Sequence, residues 1–378
     1  MVAGTMLNDA RPHPSCDGGW IAAHVPGEGG RWLDARPIPA MAMRGTLLLE
    51  ISLIAGARDP VRLVHLATRD PARLLSLAVT TEGRIEVIQR RGTAFHALSI
   101  DASAECAAGG RMRLSWRWDA AGGQSLLTLE ALDRGTLRQA AGLDPLPIAA
   151  ADLAALAAGT GAARIGPQVD WLAIGDHLHP VGPGACFAAA TMIDTPQGPR
   201  PAGAIRAGDL VTTVDAGAQP VLWSGRVCLP ALGALRPVRL CAPRFGQTRD
   251  LWLLPQHRVA RSGAAVATLF GTPEVLIEAR HLLDGVTALQ PDGAAVMPWH
   301  GLLLDGHHLL TADGCRIESL GLGRLTRSPA LAATTAPGAL AAEGRLPVHP
   351  APARPILSGA EARQLAAAQI KGRAARAA

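Results

Sequence analysis

Residues 182–201 read GPGACFAAATMIDTPQGPRP, and a cysteine stands there between a Pro/Gly break and a fresh run of β pattern. The stretch before it, HPVGPGA (179–185), holds two prolines and two glycines and reads as a domain boundary. How Cys186 is read decides whether two β domains are merely joined here or whether the chain acts on itself.

Upstream of the break, short β-patterned runs alternate with turn signals: GTLLLEISLIAG (45–56), VRLVHLAT (61–68), RLLSLAVT (73–80), RIEVIQR (84–90), AFHALSI (94–100), RMRLSWRW (111–118) and QSLLTLEAL (124–132). Thr81-Glu82-Gly83 and Asp119 to Gly123 suit hairpin loops. In RMRLSWRW, Met112, Leu114, Trp116 and Trp118 share one face while Arg111, Arg113, Ser115 and Arg117 share the other, which predicts one buried and one wet face. A short helix is expected at 149–159 and a closing strand at 169–178. Strands at this spacing point to a β-sandwich, which resembles the concanavalin-like or laminin-G-like sandwich without a ligand motif. Residues 1–44 show no sustained period and read as an irregular lead-in, so the sandwich-like domain is placed at 45–178.

Downstream, a second series of short strands with turn-rich connections runs from TMIDT to CRIESLGLG, giving a second β domain over 186–323. Residues 324–378 are an Ala/Pro-rich tail in which Ser358-Gly359-Ala360-Glu361 forms a capping-box pattern opening a C-terminal helix. The fold class is therefore all-β: two β domains, the 179–185 hinge and a tail expected to dock loosely or stay mobile.

The chain has 378 residues, 48% apolar and 18% charged, enough for more than one core. The net charge of +5 comes from scattered arginines, with Lys371 the only lysine and no tyrosine, so the clustered basic and aromatic footprint of nucleic-acid binding is missing. Six cysteines without short spacings read as individual thiols and favour a reducing compartment. No signal peptide or membrane-spanning run is visible, so a cytoplasmic protein is the default expectation, with signal-independent export as the open alternative. No dense acidic cluster and no ligand spacing beyond the adjacent His307-His308 is present, so neither cofactor nor metal is expected.

Three ordered blocks in the second domain carry a resemblance. CFAAATMIDTPQGPRPAGAIRAGDLVTTVDAGAQPVLW (186–223) resembles the opening block of the Hint (hedgehog/intein) family, LWLLPQHRV (251–259) its histidine block, and WHGLLLDGHHLLTADGCRIES (299–319) its closing block. The second domain is identified as a Hint domain of the bacterial, non-splicing kind on an N-terminal partner domain. The resemblance implies autoprocessing: Cys186 attacks the carbonyl of Ala185, and an N-to-S acyl shift turns the Ala185–Cys186 amide into a thioester that water, a thiol or another nucleophile opens. The chemistry of the residues agrees. Such a step needs a thiol immediately after the scissile bond, a chain that bends, which Gly182-Pro183-Gly184 allows, and a proton donor to the departing nitrogen.

The resemblance gives the proton-donor role to His257, a residue type that titrates near working pH. It places further acid/base or polarising groups at Asp305, His307 and His308, with either histidine open as the aligned one. The substrate is the chain itself and the acceptor nucleophile is unknown; no nucleic acid or membrane partner is expected. Two departures qualify the activity. Leu254 stands where the family has a Thr or Ser hydroxyl three residues before the histidine, which predicts slow activation. Glu318-Ser319 stands where a splicing intein ends in His-Asn, so splicing is not expected. The alternatives are a Hint scaffold that does not cleave and serves as a binding or display module, and carbohydrate or surface binding by the sandwich alone.

Overall fold

The computed structural model describes residues 19–56, 59–182, 186–292 and 295–377, with side chains of Arg324 and of 370–377 left aside. In the N-terminal domain the expected strands form, and they build two antiparallel sheets. The larger has seven strands in the order Thr136–Leu143, Gln124–Ala131, Gly110–Asp119, Arg44–Leu53, Val169–Gly175, Trp20–Val25 and Gly29–Trp32. The smaller has five, in the order Ala163–Ile165, Val61–Arg69, Ala72–Val79, Arg84–Arg91 and Ala94–Asp101. Met112, Leu114, Trp116 and Trp118 fill the space between the sheets with Leu63, Leu77, Ile85 and Val87, as their alternation requires. The helix Ala150–Ala158 ends at Gly159, whose φ of +68° supplies the left-handed cap.

Three expectations are corrected here. The lead-in is not irregular throughout: Trp20–Val25 pairs with Val169–Gly175 and with Gly29–Trp32. WIAAHV hides its period because both faces are covered, Ile21 and Ala22 by the sandwich core and Trp20 and Ala23 by the second domain. The face bearing Arg113, Ser115 and Arg117 is not wet, because the second domain lies over the middle of that sheet. The segment after 176 is not a free hinge: Thr46 Oγ1 donates to His177 O at 2.5 Å, His179 N donates to Thr46 Oγ1 at 2.9 Å, and Arg117 Nη1 donates to His179 O at 3.0 Å. Residues 183–185 of the 179–185 hinge lie outside the described residues.

The second domain has two antiparallel sheets. One orders Trp223–Pro230, Val296–Leu303, Phe187–Ala188, Leu251–Leu253, Val238–Leu240 and Ala288–Leu289; the other centres on Leu309–Ala312, Cys315–Glu318, Arg258–Ser262 and Glu274–Glu278. Phe187, Ile193, Val211, Leu240, Leu253, Val259 and Ile317 form its core. The domains meet through Trp20, Leu48 and Trp171 on one side and Leu229, Leu254, Met297 and Trp299 on the other.

A charged node sits beside that apolar contact. Glu50, 2% exposed, accepts from Arg113 Nη2 at 2.8 Å, Trp171 Nε1 at 3.0 Å and, across the interface, Ala234 N at 2.8 Å. Every lone pair it brings into the interior is used, which is what makes a buried carboxylate tolerable.

The tail packs against the second domain. The capping box is present, with Ser358 N donating to Glu361 Oε2 at 2.7 Å and Glu361 N donating to Ser358 Oγ at 3.3 Å. It opens the helix Gly359–Ala377, whose Ala362 and Leu365 pack with Leu357 on Val266, Val275 and Ile277. Before the helix, Arg354 pairs with Asp215 at 2.6 Å and Glu274 at 2.9 Å. Burial of the apolar stripe and these two ion pairs fix a segment whose composition suggests mobility.

Candidate functional site

Phe187 sits between Leu253 on one side and His300 on the other, and Cys186 O accepts from Leu254 N at 3.1 Å. Cys186 is thereby held to the strand that leads into the PQHR turn. That turn closes with His257 N donating to Leu254 O at 2.9 Å, and is pinned by Ala279 N on His257 O at 2.8 Å and Arg280 N on Pro255 O at 2.9 Å.

Successive side chains on an extended chain point to opposite faces. Phe187 accordingly enters the core of the second domain and meets the His257 ring edge-on at 5.7 Å, while Cys186 faces the interdomain cluster with Leu254 and Trp299. The thiol and the imidazole thus flank the main chain from opposite sides, and no hydrogen bond joins them among the described residues. Cys186 is a free thiol whose burial among apolar groups pushes it up to about 12. Ala185, the other half of the candidate scissile pair, lies outside the described residues.

His257 is fully buried and neither ring nitrogen has a hydrogen-bond partner among the described residues. Burial pushes its imidazole down to about 4, with Glu318 opposing the fall. The sequence-based expectation that it titrates near working pH is therefore corrected: it is neutral at pH 7, because desolvation outweighs the opposing pull of Glu318. Buried polar atoms of this kind are rare in native proteins and call for an explanation.

The closing block divides its three candidates. His307 turns inward, its Nε2 lying 3.1 Å from Glu318 Oε2 and its Nδ1 accepting from Ala353 N at 3.1 Å. Its ring stacks on His349 of the tail at 5.9 Å between centroids. His308 instead anchors the turn through its backbone, its N donating to Ser319 Oγ at 3.1 Å. Asp305 is exposed at the tip of the turn and stands outside the buried cluster.

Glu318 is the hub that the sequence offered only as a departure from a splicing end. It is 1% exposed and accepts from Arg258 N and Arg258 Nη1, both at 3.0 Å, besides facing His307. Burial alone would raise its pKa, but the His307 contact and the Arg258 charge outweigh that and hold the carboxyl below its ordinary value. His349 was missed because a single histidine in an Ala/Pro-rich segment carries no local signal. It accepts from Leu322 N at 3.2 Å through Nδ1, and its Nε2 lies 3.2 Å from Leu304 O. Among the described residues no group of three or more His, Cys, Asp or Glu side chains could hold a metal ion. No helix there is long and apolar enough to cross a membrane. Cys228 is disulfide-bonded, so the expectation of individual thiols throughout fails at that position; sequence spacing does not report pairing across a fold.

A family model described as the Hint domain matches residues 185–324. Among solved structures, the bacterial intein-like domain from Clostridium thermocellum is similar at 15% identity and a TM-score of 0.27, covering 36% of this chain and 98% of that one. The CBM40 of the Ruminococcus gnavus IT-sialidase, bound to α2,6 sialyllactose, is similar at 14% identity and a TM-score of 0.24, covering 36% of this chain and 77% of that one. The leech intramolecular trans-sialidase matches at 12% identity and a TM-score of 0.24, covering 50% of this chain and 29% of that one. No curated protein matches. With its three blocks in order, two sheets around Phe187 and a family match that begins one residue before Cys186, the chain is a Hint-domain protein with an N-terminal β-sandwich.

Proposed function

We propose that the chain cleaves itself at Ala185–Cys186 through an N-to-S acyl shift, without splicing. The observation that carries this reading is His257: a fully buried imidazole with two unpartnered nitrogens, packed on the residue next to the cysteine. A histidine kept at that cost in desolvation has a use for its nitrogens in a state of the chain other than the resting one. Sγ forms a bond to the Ala185 carbonyl carbon from one side of the main chain, and the carbon–nitrogen bond breaks. The thiol proton leaves to water on its own side, and the Cys186 nitrogen gains a proton from His257 on the other side, which draws its replacement from water, so that no net proton is consumed. An imidazolium whose pKa is about 4 gives up its proton readily, which suits protonation of a poor leaving group. Glu318 stabilises the transient cation, and His307 and Arg258 hold Glu318 in place.

A second reading, a Hint scaffold that does not cleave and presents the sandwich as a binding module, is favoured by two observations. The thiol is pushed up to about 12, so little thiolate exists at pH 7. Leu254, 1% exposed, offers no hydroxyl to the scissile amide. A time course of the purified protein on a reducing gel, with intact-mass measurement, separates the two: fragments 1–185 and 186–378 support cleavage, and an unchanged single chain over days supports the scaffold.

A further inference from the structure

Three adjacent strands of the larger sandwich sheet, Arg44–Leu53, Val169–Gly175 and Trp20–Val25, turn Leu48, Trp171, Ala173, Trp20 and Ala23 away from the sandwich core. Leu229, Leu254, Met297 and Trp299 of the second domain pack with them. Trp20, Leu48 and Trp171, each 2% exposed, owe their burial to that cover. Separation would bare a contiguous apolar patch on each half, and soluble proteins rarely leave such a patch in water. Hydrogen bonds run along the same seam: Trp20 Nε1 donates to Cys228 O at 2.9 Å, and Ala234 N donates to Glu50 Oε2 at 2.8 Å. At Gly233, whose φ of +49° is left-handed, the backbone comes so close that any Cβ would collide with Trp171 Nε1 and Glu50 Oε2. The tail adds a second grip. Thr334 O accepts from Val181 N at 2.9 Å, Thr334 Oγ1 accepts from Gln139 Nε2 at 2.9 Å, and Thr335 bridges to Val181. Gln139 and Val181 precede Cys186 in the chain and Thr334 follows it, so none of these contacts depends on the peptide link between the halves.

We infer that the second domain and its tail are a standing partner for the sandwich, so that a chain cut before Cys186 is a stable two-chain complex and not a source of free sandwich domain. The residues named above build that complex whichever agent makes the cut; its bearing on function rests on the self-cleavage reading. Buried tryptophans around a fully paired carboxylate, with a glycine fitted against both, make an interface in which a few contacts dominate the hold. Self-cleavage then frees the sandwich from its covalent link while leaving it seated on its carrier.

The test cuts the full chain at a protease recognition sequence, flanked by glycine and serine, inserted between residues 184 and 185 of a Cys186→Ala chain, so that the cut owes nothing to the thiol. The cut chain is sized at about 1 µM, where a complex tighter than about 0.1 µM stays assembled. Reducing conditions keep the disulfide at Cys228 from holding the pieces. Two bands on a denaturing gel and one native peak at the mass of the uncut chain are expected; two native peaks overturn the assignment. Gly233→Asp, a residue type that tolerates left-handed backbone, sets a second carboxylate against Glu50. It should raise the concentration at which the cut pieces part by about a hundredfold or more, each piece eluting as a compact monomer. A cut Gly233→Asp chain that holds as tightly as its parent also overturns the assignment, because the hold then does not run through this seam. The chain with its native Cys186, opened at the thioester by hydroxylamine, should likewise give two bands and one peak. If hydroxylamine yields no fragments, the self-cleavage reading fails while the protease-cut chain still decides this one; if it yields fragments that part, self-cleavage stands and the complex fails.

Discussion

Replacing His257 with leucine should change how stability depends on pH, and the size of the change can be worked from its environment. The unfolded chain protonates this histidine near 6.5, whereas burial holds the folded imidazole at about 4. Between those values the unfolded state binds one more proton, so stability present above pH 6.5 is lost as pH falls toward 4. A gap of that width corresponds to about 3 kcal/mol. Other histidines, among them the buried His179 and the half-buried His300, are lowered in the same direction, so the slope of the wild-type chain alone is not diagnostic. The difference between two chains is. Both should carry Cys186→Ala to remove cleavage, and urea unfolding should be followed by tryptophan fluorescence from pH 7.5 to 4.5. His257→Leu should be at least as stable at pH 7, because it removes two unpaired buried nitrogens worth about 1–3 kcal/mol each in desolvation. Its advantage should grow by about 2 kcal/mol at pH 4.5. Parallel curves would refute the claim that His257 is neutral and unpartnered in the fold.

Three more outcomes follow from the geometry. The initial rate of acyl shift, read by hydroxylamine release, should rise roughly tenfold per pH unit from 7 to 9 and continue upward, since the thiol is held near 12; a plateau at 8.5 would mean an ordinary exposed thiol. Leu254→Thr, restoring a hydroxyl beside the scissile amide, should speed the same release roughly tenfold or more, and an unchanged rate would remove Leu254 as the reason for slow activation. Glu50→Ala leaves the buried Arg113 guanidinium with Glu130 but without its more deeply buried partner, takes the acceptor from Trp171 Nε1 and Ala234 N, and should cost about 3–5 kcal/mol in urea unfolding. A loss below about 1 kcal/mol would mean that Glu50 does not tie the domains together.

The strands were legible wherever one face meets a core and the other meets solvent, as in Arg84–Arg91 and Ala94–Asp101. They were illegible where a second domain covers the outer face. Trp20–Val25 shows no alternation because both its faces are buried, and Arg113, Ser115 and Arg117 read as solvated because a polar stripe looks the same under water or under another domain. Cys186 and His257 could be picked out by block order and spacing. The opposite facing of their side chains, the depth of His257 and the role of Glu318 depend on tertiary packing between strands far apart in sequence. The tail misled for a related reason: His349, Arg354 and Leu357 are single residues in an Ala/Pro-rich segment, and only their partners in the second domain give them meaning.

The most direct measurement is N-terminal sequencing of any fragment released when the purified full-length chain is incubated under reducing conditions with hydroxylamine, run beside Cys186→Ala. Self-cleavage through the thioester predicts a C-terminal piece beginning at Cys186 from the wild-type chain and an intact Cys186→Ala chain. A wild-type chain that stays whole, or a fragment that appears equally without the Cys186 thiol, would contradict it.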